Sequence, residues 1–273
     1  MKVLISTDIE GVAGVYHSEQ VRAGNPEYER ARLLMTHEAN AAIAGAFDAG
    51  ATEVLVNDSH GGFRNMPPDL LDARARVIQG KPRYLSMVAG VEEGGVDAVC
   101  MVGYHSRAQG RGILAHTINS FAFAGISLGS EELGEAGLYG ALAGEYGVPV
   151  VMASGDDVFI AENRPLFPHA TFVETKKATG CLSGVSLSPE QSRRAIRAGV
   201  EEALAARSKA KPLVFAGPQT VTLRAQTSAL ADLFCQWPSF ERVDGVTLRF
   251  TAPTVEAAVR MLNCCSAMST MLR

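Results

Sequence analysis

Six residues carry most of the chemistry this sequence offers. Asp8 and Glu10 stand in Ser6-Thr7-Asp8-Ile9-Glu10-Gly11, His60 in Asp58-Ser59-His60-Gly61-Gly62 and His105 in Gly103-Tyr104-His105-Ser106, while His116 and Glu135 follow. Carboxylate oxygens mixed with imidazole nitrogens suit zinc, manganese or iron, whereas thiolate centres need clustered cysteines. Asp8 and Glu10 are two apart, so on extended backbone both carboxylates point to one side. Gly11 then lets the chain turn away. Three acids and two histidines exceed the needs of one tetrahedral zinc. Two ions about 3.5–4 Å apart, bridged by a carboxylate, are therefore expected, with Asp8 as the bridge.

Each residue also has an ordinary explanation. Acids after a strand cap helices or sit in solvated turns, and a histidine in a glycine-flanked loop commonly does the same. Glu131 and Glu132 compete with Glu135 for a place near a helix start. His116 lies in a strand-like segment, where a satisfied core histidine is the usual finding. Repetition favours chemistry: three successive apolar runs end in Asp8 and Glu10, in His60 and in His105. Open α/β sheets bind ligands in the crevice at the carboxyl ends of their strands. His17, His37 and His169 share no such pattern. His37-Glu38 begins like a zincin helix but lacks the second histidine, and no nucleophile elbow, dinucleotide fingerprint or P-loop is present.

The elements that must position these residues follow from periodicity. Met1 to Ser6 reads as a buried parallel strand. Asn25-Pro26-Glu27 opens a helix whose apolar positions Ala31, Leu34, Met35, Ala42, Ile43, Ala46 and Phe47 recur at helical spacing, and Gly50 stops it. Val54 to Asn57 is the next strand, reached by a right-handed crossover. Residues 63 to 95 suggest a strand near Val77-Ile78 and a short helix around Met87-Val88. Ala98 to Val102 is a buried strand, Ile113 to Thr117 a strand edge, Leu133 to Tyr146 a helix, and Val148 to Ala153 a strand. Ser188-Pro189-Glu190-Gln191 matches a capping box, with Ile196, Val200, Ala203 and Leu204 on the apolar face. Val221 to Leu223 and Thr247 to Phe250 are strand-like. The expected fold is α/β: a mostly parallel sheet flanked by helices over residues 1–185, with a smaller C-terminal α+β domain over 186–273.

Composition narrows the function classes. The 273 residues can bury a sizeable core, and 47% hydrophobic with 20% charged residues is ordinary for a globular chain. A net charge of −4 offers no basic field for nucleic acid or an anionic membrane, so neither partner is expected. Five cysteines without a C-x-x-C pair indicate neither a disulfide framework nor a thiolate zinc site. No apolar run approaches the roughly 20 residues of a membrane span. A reducing cytoplasm is the expected compartment.

Six motifs in order resemble the zinc-dependent D-aminopeptidase family: Ser6-x-Asp8-x-Glu10-Gly11, Val56-Asn57-Asp58-Ser59-His60, Gly103-Tyr104-His105, His116, Gly134-Glu135-x-Gly137-Leu138 and Ser154-Gly155-Asp156-Asp157. Weaker similarity runs through Lys176-Lys177 and beyond Pro189. The resemblance implies two Zn2+ per subunit, with Asp8 bridging, Glu10 and His60 on one ion, and His105 and Glu135 on the other. It implies His116 as the catalytic nucleophile or base, a small peptide substrate with an N-terminal D-residue, and a homo-oligomer, a decamer of stacked pentamers facing an inner chamber. Tyr139 departs from the asparagine common after Gly-Leu in that family. The reaction expected is hydrolysis of an amide next to a free amino terminus, with two divalent ions polarising the carbonyl and acidifying water. Two alternatives stay open: another two-metal amidase or phosphoesterase, and a non-catalytic ligand-binding or transport-associated module.

Overall fold

The computed structural model describes residues 1–273. In chain order the elements are β1 (Lys2–Thr7), α1 (Pro26–Asp48), β2 (Glu53–Asp58), β3 (Arg76–Ile78), β4 (Val96–Val102), β5 (Phe123–Leu128), β6 (Glu131–Glu132), α2 (Glu135–Glu145) and β7 (Val150–Asp156). These are followed by α3 (Asp157–Asn163), β8 (Thr171–Gly180), β9 (Ser183–Ser186), α4 (Pro189–Ala205), β10 (Gln219–Ala225), α5 (Ser228–Phe234), β11 (Glu241–Arg242), β12 (Thr247–Ala252) and α6 (Val255–Met268). No helix is long and apolar enough to cross a membrane.

Two sheets organise the chain. The first has seven strands in the order β3-β2-β1-β4-β7-β8-β9, all parallel except the terminal β8/β9 hairpin. The second is antiparallel, in the order β11-β12-β10-β5-β6. Successive residues of a strand face opposite sides, and β1 shows it. Val3 and Ile5 join the core formed with Met35 and Ile43 of α1 and Ile196 and Val200 of α4. Leu4 joins the core on the other side, with Leu138 and Leu142 of α2, Val221 and Leu223 of β10, and Leu262 of α6. Both faces of the sheet are covered, which is why its strands are near-continuous apolar runs.

The helix starts agree with the capping expected of them. The Asn25 side chain accepts from the Tyr28 N–H at 3.0 Å ahead of Pro26, and Ser188 with Gln191 forms the capping box of α4. The boundary expected between residues 185 and 186 falls inside β9. Helix α4 packs on α1, and β5 from the middle of the chain pairs with β10 on one side and β6 on the other. One expectation is corrected. Residues 113–117 form no strand: Leu114 (φ 55°) and Ile118 (φ 60°) are left-handed, and such residues break the pleat of a strand.

Strand order reverses between β1 and β4, the first leading outward to β2 and β3, the second to β7 and β8. Crossovers leave such a point open at the carboxyl ends of the strands. Asp8 follows β1 and His105 follows β4, so both stand at that opening.

Candidate metal centre

Three strand-end loops interlock there at backbone level. The Asp8 N–H donates to the Val102 carbonyl at 2.8 Å, the Gly11 N–H to the Gly103 carbonyl at 2.7 Å, and the Tyr104 N–H to the Ser154 carbonyl at 3.0 Å. Contacts this close admit no side chain. A Cβ on Gly11 would stand 1.9 Å from the Tyr104 oxygen, and one on Gly103, which also has φ +74°, 2.3 Å from the Asp8 oxygen. The glycines of Glu10-Gly11 and Gly103-Tyr104-His105 are thus the condition for bringing those acids and that histidine together.

His60 is delivered by a loop wound on Asp58. The Asp58 carboxylate accepts from the N–H groups of Asn65 (2.6 Å) and Met66 (2.8 Å), from Asn65 Nδ2 (2.6 Å) and from Gln79 Nε2 (3.0 Å). Asn65 Nδ2 in turn donates to the His60 carbonyl at 2.7 Å. Glu135 is the first residue of α2, on which the sequence could not decide among three glutamates. Glu131 and Glu132 are exposed on β6, while Glu135 is buried and accepts from the Ile118 N–H at 2.6 Å.

All six expected residues meet in one place. His60 Nδ1 lies 3.2 Å from Asp8 Oδ1 and 3.0 Å from Glu10 Oε2, while His105 Nε2 lies 3.3 Å from Asp8 Oδ2 and 3.4 Å from Glu135 Oε1. His116 Nε2 is 3.6 Å from the same Glu135 oxygen, and its ring stacks on that of His105 with centroids 4.1 Å apart and planes 8° from parallel. Asp8, Glu10, His105 and Glu135 are each less than 5% exposed.

The remaining ring nitrogens decide what the inward ones can do. His60 Nε2 donates to the Val21 carbonyl (2.8 Å), His105 Nδ1 to the Ser106 carbonyl (3.0 Å) and His116 Nδ1 to the Leu114 carbonyl (2.9 Å). A neutral imidazole has a single N–H, so each presents a lone pair inward. Those lone pairs face carboxylate oxygens that also lack protons. Glu10 Oε2 and His105 Nε2 are buried without any hydrogen-bond partner. Such groups need a cation between them, and the donor set, oxygen and imidazole on backbone-anchored rings, is what zinc or a similar divalent ion takes. Two ligand triplets are close enough to share an ion, Asp8 with Glu10 and His105, and His105 with His116 and Glu135.

The electrostatics of the metal-free chain agree. Burial alone would push the Asp8 carboxyl up, but contact with His105 and His60 outweighs it and holds Asp8 well below the usual carboxylate range. For Glu135, burial is likewise outweighed, chiefly by His105, and its pKa is lowered. Burial disfavours charge on His60 and His105, yet Glu10 and Asp8 around one ring and Glu135 and Asp8 around the other raise both well above the ordinary imidazole value. The field that would hold protons on these rings in a metal-free site is one that attracts a divalent cation.

Sequence reasoning passed over some participants. Asp58 was only part of a motif, yet it shapes the His60 loop. Lys176, 2% exposed on β8, has its amine pushed down to about 8 by burial, and nothing in the alternation of β8 marks it as inward. Tyr139 is buried on α2, its hydroxyl donating to Ser86 Oγ at 3.1 Å, so the departure from asparagine fills space between α2 and the turn at Ser86–Val88.

Comparison with known proteins bears on the same residues. A family model described as D-aminopeptidase matches residues 1–264. A D-aminopeptidase of Bacillus subtilis (strain 168) is 38% identical over 213 residues, which cover 78% of this chain and 77% of that protein. The solved structure of the Zn-dependent D-aminopeptidase DppA from Bacillus subtilis, a self-compartmentalizing protease, is similar with a TM-score of 0.94 at 32% identity, covering 99% of this chain and 98% of that one. With a family match over nearly its whole length and its carboxylates and imidazoles gathered at one sheet opening, the chain belongs to the D-aminopeptidase family.

Proposed function

We propose that this chain is a zinc-dependent aminopeptidase that removes an N-terminal D-residue, D-Ala being representative, from short peptides or amides. Two Zn2+ per subunit are assigned to its site, with Asp8 bridging, Glu10 and His60 holding one ion, and His105 and Glu135 the other. A single observation carries this: lone pairs of three backbone-anchored imidazoles converge on three buried carboxylates at 3.0–3.6 Å. A homo-oligomer, by similarity a decamer, is part of the same reading, because a self-compartmentalizing relative shares the fold.

When bound, the ions supply Lewis acidity, which polarises a carbonyl and stabilises a developing oxyanion. The chain's own residues do the rest. His116 Nε2 is the basic atom facing the site, because its Nδ1–H is committed to Leu114. It is placed to accept the proton of an attacking water and return it to the departing amine, or to attack directly. Stacking on His105 restricts how far its ring can swing. The 19% exposure of its side chain, against 1% for His105, puts His116 on the substrate side of the cluster.

The test joins elemental analysis of the purified protein with parallel assays of D-Ala-D-Ala, an L-peptide and a phosphate ester. Two zinc per chain with preferential cleavage of the D-peptide is expected. Stoichiometric zinc with turnover of the phosphate ester alone, or of nothing, would replace the proposal with a phosphoesterase or a binding module.

A further inference from the structure

The backbone of residues 10–15, which carries Glu10, is held by four side chains from three distant segments, β8, α1 and β9. Lys176 Nζ donates to the carbonyls of Glu10 and Val15, both at 2.5 Å. Thr175 Oγ1 donates to the Gly11 carbonyl at 2.7 Å. On the amide side, the Ala13 N–H donates to Glu38 Oε1 at 3.0 Å and the Gly14 N–H to Ser186 Oγ at 2.9 Å. Among these, the lysine stands out physically. A buried ammonium is costly unless its donors are satisfied, and here its recorded partners are neutral carbonyls, not carboxylates. An apolar side chain of the same volume would fill the space but leave both carbonyls without this donor.

What an apolar side chain could not do is draw two carbonyls, five residues apart, onto one point. That gathers Glu10 to Val15 into a closed turn. With the Glu10 carbonyl held by Lys176, its peptide plane is fixed, while its side chain reaches the metal-ligand cluster. There Glu10 Oε2 stands 3.0 Å from His60 Nδ1 with no hydrogen bond of its own to orient it. A ligand carboxylate without such a bond depends on its backbone for aim.

We propose that Lys176 is a positioning residue for the metal centre: by clamping the Glu10 and Val15 carbonyls it aims the Glu10 carboxylate at the ion shared with His60. This rests on the zinc reading above. It predicts that Lys176 acts on metal affinity through Glu10 without touching metal or substrate.

The experiment measures the zinc Kd by competition with a chelator, together with Tm, on the full-length chain. Lys176→Met keeps the stem and removes the donors, and should raise the Kd by about tenfold or more, the range found when groups supporting a ligand are lost. Lys176→Arg, which retains donors, should lose less affinity than Lys176→Met. Glu38→Ala loosens the same turn at Ala13, away from Glu10, so it should lower Tm while leaving the Kd within about threefold. If Lys176→Met does not fold, Lys176→Gln, too short to span both carbonyls, carries the same expected rise in Kd. Wild-type affinity in a folded Met or Gln variant, or an equal loss in Glu38→Ala, overturns the positioning role alone. A wild-type chain that takes up no zinc overturns the reading of the centre beneath it.

Discussion

Gly11→Ala tests the interlock on which the site is built. The added Cβ would stand 1.9 Å from the Tyr104 carbonyl oxygen and 2.5 Å from the Gly103 carbonyl carbon, where Cβ contacts below 3.0 Å essentially never occur. Both obstacles are backbone, so no rotamer relieves the overlap, and the loops after β1 and β4 must part by roughly 1 Å. Parting them stretches the Gly11–Gly103 and Asp8–Val102 hydrogen bonds. Overpacking of this kind costs about 1–3 kcal/mol. At roughly 2–4 °C per kcal/mol for a chain of this size, Tm should fall by about 2–12 °C. The effect on catalysis should be larger. Glu10 precedes the substituted residue and His105 follows the displaced ones, and misplacement by about 1 Å costs on the order of 100-fold. Scanning calorimetry and kcat/KM on D-Ala-D-Ala read the two effects separately. Unchanged Tm and unchanged kcat/KM would refute the interlock, and a fall in Tm with full activity would show that the loops part without moving the site.

Other perturbations separate the roles of individual residues. His105→Ala should lose zinc and hydrolysis together, and a metallated, active variant would remove His105 from the centre. His116→Ala should keep its zinc while kcat falls by about 100-fold or more, in the range for a lost general base; loss of zinc instead makes His116 a ligand. In chelator-treated protein, the raised values of His60 and His105 mean that their stabilising contribution is full below about pH 6.5 and is lost as pH rises through those folded-state values. Its Tm should therefore fall from neutral to alkaline pH while that of zinc-loaded protein does not, and parallel Tm curves would contradict the assignment. Asp58→Ala leaves several buried donors without an acceptor, at about 1–3 kcal/mol each, so Tm should drop by roughly 6 °C or more.

How far the sequence could be read depended on the range over which each feature is determined. The apolar runs of β1, β2 and β4 are local, and their ends in Asp8 and Glu10, in His60 and in His105 put the donors at the sheet opening from the sequence alone. The start of α4 was legible in four residues. His116 was misplaced on a strand edge because Leu114 and Ile118 adopt left-handed backbone with no glycine to announce it. The second sheet was only half visible, since β5 gains its partner β10 from a remote segment. Lys176 and Glu38 resemble solvated charges in sequence. Their burial follows from the Glu10–Val15 turn folding over them, a tertiary event without a periodic signature.

The pairing of β5 with β10 also sets an order for biosynthesis. By the time Ser186 has left the ribosome, every strand of the parallel sheet exists, yet Phe123–Leu128 still lacks its neighbour at Gln219–Ala225. Through that interval a nascent chain displays an apolar ribbon with unsatisfied edge amides, a template for contact with other unfinished chains. Truncated chains ending before Ala225 would make the interval permanent, so insolubility, more than lost activity, is the outcome to expect of them.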